Sequence, residues 1–401
     1  MRETGRFDLD ERAGVLERQR TLKMAKSAHA YVRGNTRTFY DWLEGLDRGT
    51  LPEGPPVWIC GDCHLGNLGP LADADGRVDV QIRDLDQTVI GNPAHDLVRL
   101  GLSLASAARG SDLPGAVTAR MLDGMMQGYA SGLGDSAQDA PVEPDVVRSV
   151  RRQALGRRWK HLARERIKDV EPKIPLGRKF WALDDGEWHA LKDLFRESTV
   201  RDLVLSLESR RAGAEMRLLD AAYWMKGCSS LGHLRYAALV RITEADGRRK
   251  LALVDLKEAV AAVAPAAPGA AMPADHAARV VAGARALSPN LGERMLPVRL
   301  LDRPVVMREL RPQDLKLDVD QFSQGEAVRA AHYLAHVVGR AHGRQMDAPA
   351  ARVWRRELGG TGATTPDAPS WLWSSVVELA GRHEVGYLEH CRRYAAMPEA
   401  A

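Results

Sequence analysis

The stretch "CGDCHLGNLG", residues 60–69, sets two cysteines, an aspartate, a histidine and an asparagine in one glycine-bounded turn. Zinc binding, phosphoester hydrolysis and phosphoryl transfer all use such a mixture. A structural zinc site needs four ligands, commonly two Cys pairs or a Cys pair with a nearby Cys/His pair. Cys60 and Cys63 form one C-x-x-C pair, but Cys228 and Cys391 stand alone in distant segments. A thioredoxin-like pair opens a helix after a strand and carries no aspartate between its cysteines. A two-metal phosphoesterase uses "GD" and "GN" turns, yet no D-x-H precedes Asp62. The later His332 and His336 sit at i, i+4 in "AHYLAHVVGRAH", where Tyr333 replaces the glutamate of a metalloprotease helix.

Phosphoryl transfer uses these residues at their own spacing. It needs an acid to orient the attacking hydroxyl and oxygen ligands to hold magnesium on the nucleotide phosphates. Asp62 and Asn67 share one tight loop, so both can face a single point. "RDLDQT" then supplies Asp84 and Asp86 on a second loop.

"GDCHLGNLG" followed by "IRDLDQTVIGNPAHDLVRL" resembles the catalytic region of aminoglycoside and choline phosphotransferases, with its pattern H-G-D-x-H-x-x-N, I-D-W and G-D-P-x-x-D-L-A. The resemblance implies that Asp62 is the catalytic aspartate and that Asn67 and Asp84 are metal ligands. By the same resemblance Asp96 is the buried aspartate that braces the loop, while Asp86 is expected as a second carboxylate ligand and His64 as structural support. Cys60 stands where those enzymes carry a largely structural histidine.

Such a loop needs a nucleotide-holding lobe, which normally comes first. The residues before Cys60 read as helical, without a glycine loop or strand lysine. The missing parts come later. "KGCSSLGHLRYAALV" places Gly227, Ser229, Ser230 and Gly232 ahead of a strand, suited to covering phosphates with N–H and hydroxyl groups. After the hairpin signal "TEADGRR", Lys257 in "LALVDLKEA" sits on a strand like the lysine that pairs with the α- and β-phosphates. The helix that follows, "DHAARVVAGARAL", has no glutamate to pair with it, leaving Glu258 and Asp275 as nearby acids.

The expected architecture is therefore α+β, a protein-kinase-like two-lobed fold that is circularly permuted, with the catalytic loop before the nucleotide lobe. Expected divisions are an N-terminal helical segment 1–56, a catalytic region 57–215, a nucleotide-binding module 216–320 and returning C-terminal helices 321–401. Within the catalytic region "VWIC" and "VDVQI" read as a small hairpin. Through "KMAKSAHAYVRG", "GDCHLGNLG", "RDLDQT" and "VDLKEA" the chain also resembles the bacterial family of unknown function numbered 2252, grouped with kinase-like proteins. Arg33 in the first of these motifs is expected to brace the catalytic loop through a salt bridge or to contact phosphate.

Composition bounds the partners. The 57 basic and 53 acidic residues of the 401 balance too closely to imply nucleic acid or membrane binding. The dense basic run at 147–169 reads as a solvated helix face rather than an anion dock. Four cysteines make no disulfide framework, and the charged start "MRETGRFDLDERAG" lacks the order of a secretion signal, so a reducing cytoplasm is expected. The expected activity is an ATP- and Mg²⁺-dependent phosphotransferase acting on a small-molecule hydroxyl acceptor. Nucleotidyl (AMP) transfer on the same fold, or a non-catalytic nucleotide-binding scaffold, are the alternatives.

Overall fold

A computed structural model describes residues 9–134, 141–157, 173–206, 213–226, 232–315, 323–359 and 368–394. Helices and antiparallel strands are segregated along the chain, an α+β arrangement. Three helices come first, Leu9–Met24, Ala28–Gly34 and Thr36–Glu44. Four short strands follow: β1 (Val57–Ile59), β2 (Leu68–Ala72), β3 (Val78–Ile82) and β4 (Val89–Gly91).

Here the pairing differs from the expected hairpin. β1 pairs with β4, and β3 pairs with β2. The segment "LGPLA" of β2 is buried along its whole length, but its glycine and proline lie low in strand propensity, so it carries no sequence signal. The two ladders hold the two polar loops, 60–67 and 83–88, side by side.

The largest core is helical. The helix Pro93–Gly110 begins with Asn92 accepting from the Ala94 amide and with Pro93 in its first turn. It is apolar around most of its surface, as a helix buried on several sides must be. The helices Gly115–Gly132 and Gln324–Gly343 cross at very close range. Glycines make this possible, because a Cβ on Gly128 would come within 1.9 Å of the His332 carbonyl oxygen and one on Gly339 within 2.2 Å of that of Tyr129.

The second structural body is a six-stranded antiparallel sheet in the order β5-β6-β7-β8-β10-β9. Its strands are β5 (Phe180–Trp181), β6 (Glu215–Trp224), β7 (Arg235–Thr243), β8 (Arg249–Glu258), β9 (Met295–Leu300) and β10 (Arg303–Glu309). β7 and β8 form the expected hairpin, closed by Gly247 at φ +81. Alternation along β7 and β8 sends Tyr236, Ala238, Val254 and Leu256 into one core, packed by the helices Asp185–Leu194 and Ser198–Ser206. Ala237, Leu239 and Leu253 enter a smaller core on the opposite face. Arg235, Asp255, Lys257 and Arg308 share that opposite face, because Arg235 pairs with Lys257 and Arg308 with Asp255 across the ladders. Arg12 ties the first helix to the sheet region through a buried ion pair to Glu187 at 2.5 Å, and Glu187 also accepts from the Tyr236 hydroxyl.

Among the described residues no helix is long and apolar enough to cross a membrane.

Two glycine-to-alanine changes should have opposite signs. Gly339→Ala forces a methyl into the helix crossing and should cost about 1–3 kcal/mol or more. Gly381→Ala, inside the helix Ser370–Tyr394 with nothing near its Cβ position, should stabilise by roughly 0.4–1 kcal/mol. Urea unfolding of both variants checks the pair.

Candidate functional site

The loop 60–67 is fixed mainly through its backbone. The buried Asp96 carboxylate accepts from the Cys60 amide at 2.7 Å and the Gly61 amide at 2.9 Å. His342 Nε2 lies 3.2 Å from the same carboxylate, and its Nδ1 lies 2.9 Å from the Tyr129 hydroxyl, which accepts from Trp354 Nε1 at 3.0 Å. One chain thus links the Trp354 indole through the Tyr129 phenol and the His342 ring to Asp96. The Tyr40 hydroxyl donates to the Gly61 carbonyl at 2.5 Å. Gly61 has φ +74, and a Cβ there would stand 2.2 Å from the Gln87 carbonyl oxygen. Only glycine lets the two loops approach this closely.

Asp62 is 13% exposed, and its Oδ1 accepts from Arg99 Nε at 2.9 Å. Burial raises its pKa, while the Arg99 charge and hydrogen bonds from Arg99 and Thr36 oppose the rise. Arg99 is fully buried and also donates to the Val32 carbonyl at 2.7 Å. The buried His64 is held neutral, its pKa pushed well down by burial and by the charges of Arg33 and Arg99. At 3.9 Å from Asp62 it is a packing neighbour rather than a hydrogen-bond partner.

The Asn67 amide nitrogen donates to the Asp62 carbonyl at 2.9 Å and to the Asp84 carbonyl at 3.3 Å. Its amide oxygen is thereby turned away from both. Cys60 Sγ also donates to the Asp84 carbonyl. The Cys60 and Cys63 thiols are raised in pKa, Cys60 by its contact with Cys63 and by burial, so both are neutral packing groups.

Lys257 reaches this floor from the sheet. Its Nζ lies 3.3 and 3.4 Å from the Asp84 carboxylate oxygens and in close contact with Asp86. The two carboxylates are 46% and 28% exposed, the lysine 14%. Burial alone would raise Asp84, but Lys257, Arg308 and Arg235 outweigh it and hold its pKa well below the usual carboxylate range. Asp86 moves the other way, to about 6, through burial and the Asp84 charge, against the pull of Lys257.

The acid that pairs with Lys257 is therefore neither Glu258 nor Asp275. Glu258 accepts from the Leu234 amide and from Arg303, while Asp275 caps the helix His276–Leu287. That helix offers Arg279 instead, which donates to the carbonyls of Asp86, Thr88 and Val260 and so pins the second loop. The expected salt bridge of Arg33 is also absent among the described residues. Its guanidinium lies with the His64 ring against Gly66.

Asp62, Asn67, Asp84, Asp86 and Lys257 line one cleft of about 330 Å³. Arg20, Gly34, Thr36 and Arg37 form its helical wall, and His233, Glu258, Val260, Ala261 and Val263 lie on the sheet side with Lys257. Gln87 completes the floor. Gly232, at φ +100, precedes His233 in the loop between β6 and β7. Gly227, Ser229 and Ser230 lie outside the described residues, as do residues 158–169 of the basic run. Within the described part of that run, Arg148 pairs with Asp145 and Arg151 with Glu143.

The fold and this cleft define an α+β protein with an acidic two-loop floor facing a strand lysine. The chain belongs to the family described as "Uncharacterized protein conserved in bacteria (DUF2252)", whose profile matches residues 12–393. Comparison with curated proteins and with solved structures returned no match.

Asp255, on the same sheet face as Lys257, is shared by two arginines. It binds Arg235 at 2.9 and 2.7 Å and Arg308 at 3.3 and 3.2 Å. Burial alone would raise its pKa, but these arginines hold it far below the usual range. Its contribution to stability is then whole above about pH 4, the unfolded value, and drains away as pH falls toward the folded one. Asp255→Asn should cost roughly 3–5 kcal/mol near neutrality and flatten the acid limb of the stability profile, read by urea unfolding across pH.

Proposed function

We propose that the protein is an ATP- and Mg²⁺-dependent phosphotransferase acting on a hydroxyl acceptor. The observation that carries this reading is the meeting, in one cleft, of Asp62, Asn67, Asp84 and Asp86 with Lys257, which reaches Asp84 from 173 positions along the chain. We read the fold as kinase-like and circularly permuted. Residues 57–215 and the helices of 321–401 then correspond to the catalytic lobe, and 216–320 to the nucleotide lobe. The early position of the polar loops and the late position of the strand lysine support that order.

The donor set suits magnesium. Among the described residues no three His, Cys, Asp or Glu side chains gather to hold a metal by themselves. Two carboxylates and one amide oxygen on a single floor are what a cation needs when the substrate phosphates and water supply the remaining ligands. Asn67, Asp84 and Asp86 would hold the ion, which when bound supplies charge neutralisation on the transferring phosphoryl group.

The rest is done by the chain's own groups. Lys257 grips the nucleotide phosphates, released from its contacts with Asp84 and Asp86. Asp62, held in one orientation by Arg99, accepts the hydrogen bond of the acceptor hydroxyl and aims its oxygen at the γ-phosphorus. As the new P–O bond forms and the bond to ADP breaks, the hydroxyl proton passes to Asp62 and then to solvent. A carboxylate whose pKa is raised by burial is better suited to that transfer than a free one.

Asp62→Asn should abolish turnover while keeping ATP binding, and Asp84→Ala should lose both. A screen of small hydroxyl metabolites with ATP and Mg²⁺, read by product mass, detects the activity and separates an added phosphoryl group from an added nucleotidyl group. Turnover retained in either variant would sink the assignment. Lys257→Met should weaken ATP binding by roughly tenfold or more, the loss of a charge-assisted phosphate contact, read by calorimetry.

A further inference from the structure

The helix Ser370–Tyr394 is apolar on two faces. Leu372, Val376 and Leu379 are buried on its inner face, and the helix packs against the helices Pro93–Gly110 and Ala28–Gly34. Its outer face carries Trp373, Val377, Val385 and Leu388, with exposures rising from 40% at Trp373 to 60% at Leu388. Steps of four, four, four and three through Gly381 keep these positions on one stripe of the helix surface. Among the described residues no other helix carries more than one exposed large apolar side chain. The inner stripe is all that a surface helix needs to hold it to a core, and an exposed apolar stripe beyond it marks a contact with another surface.

Three features of the stripe select its occupant. It is symmetric about Gly381, with Val377 and Val385 four positions to either side and Trp373 and Leu388 eight and seven. Reversing the helix therefore lays the stripe on itself, the condition for an isologous two-fold contact, whereas a partner of unrelated sequence needs no such symmetry. Nothing lies within 4 Å of a Cβ placed on Gly381, so a facing helix can come close at the centre, as the helices crossing at Gly128 and Gly339 do inside the molecule. The charges along the stripe are also self-complementary. Glu378 and Arg382 pair at 2.9 Å on one side, Glu384 pairs with Arg109 at 2.6 Å on the other, and Glu389 and Arg392 stand at i, i+3. With two such helices antiparallel, Glu378 of each lies within one helical turn of Arg382 of the other.

We propose that this face joins two copies of the chain, helix to helix and antiparallel, about a two-fold axis at Gly381. Val377 then packs on Val385 of the second copy and Trp373 on Leu388, each contact being made twice. Glu378 and Arg382 exchange partners across the axis, so no like charges are forced together. One helix per chain is a small contact beside the roughly 1,200–2,000 Å² buried in stable complexes, so the dimer is a reversible one. The pairing is independent of the chemistry at the cleft, which none of the stripe residues lines.

Sedimentation equilibrium of the full-length chain over a range of concentrations should show a reversible monomer–dimer system. Val377→Asp and Val385→Lys should each weaken association roughly tenfold or more, because the two-fold axis sets either charge against a valine in both contacts. Combined in one chain, the two substitutions face each other across the axis and should recover most of the lost affinity. An equimolar mixture of the single variants should likewise pair better than either alone. Both sites are exposed, so the circular dichroism and unfolding temperature of the dilute single variants should match those of the unaltered chain. A chain that stays monomeric throughout overturns the proposal. So does a dimer indifferent to both single variants, and so does a loss that the double variant fails to recover, which puts another partner or another register on the stripe. Single variants that unfold at lower temperature while monomeric overturn it as well, because a segment of the same chain then covers the stripe.

Discussion

The Asp96 carboxylate is the fixed point of the molecule. It stands buried at the start of a helix and takes the two amides that open the polar loop, Cys60 and Gly61. A buried carboxylate is costly unless its oxygens are satisfied, and His342 completes the set from a helix more than two hundred positions later. The chain of Tyr129 and Trp354 behind His342 draws two further helices into the same network. The loop that carries Asp62 thus takes its position from helices far apart in the chain, and the glycine-lined crossing of two of them brings His342 close enough. Side-chain chemistry at the cleft rests on this backbone arrangement.

Lys257 supplies the second constraint, between sheet and loops. Asp84 and Asp86 are two carboxylates two residues apart on one short loop, an arrangement that repels itself without a cation. Lys257 provides one, and Arg279 fixes the loop's carbonyls from the neighbouring helix. The same face of the sheet holds Arg235 and Arg308, whose charges would otherwise compete for those carboxylates. Asp255 binds both, Arg308 also donates to the Arg83 carbonyl of the second loop, and Lys257 is the one of the three that contacts the two carboxylates.

Much of this was legible in the chain. "GDCHLGN" and "RDLDQT" announced a polar floor because their chemistry is compressed into a few residues, and the hairpin around "TEADGRR" was marked by its Asp-Gly turn. What escaped did so for physical reasons. β2 hides in "LGPLA", where glycine and proline mask a fully buried strand and its pairing with β3. Arg99 sits in the apolar run "DLVRL", and nothing in that periodicity says that its guanidinium turns toward Asp62. The acids that pair with Lys257 lie on the floor it faces and not on the helix that follows it. No local pattern links positions 84 and 257; only the fold does.

The cysteines that make "CGDCHLGNLG" conspicuous carry a different lesson. Their thiols are buried and neutral, and Cys60 supports the Asp84 carbonyl, so they contribute packing and one weak hydrogen bond. His64 is likewise neutral and buried. With both soft ligands and the imidazole withdrawn into the core, the groups left facing the cleft from these loops are oxygens: two carboxylates at Asp84 and Asp86, the Asp62 carboxylate and the Asn67 amide. A floor of oxygens suits hard cations better than soft ones. That preference comes from which way each side chain of the turn is directed, since the turn's composition alone is compatible with both.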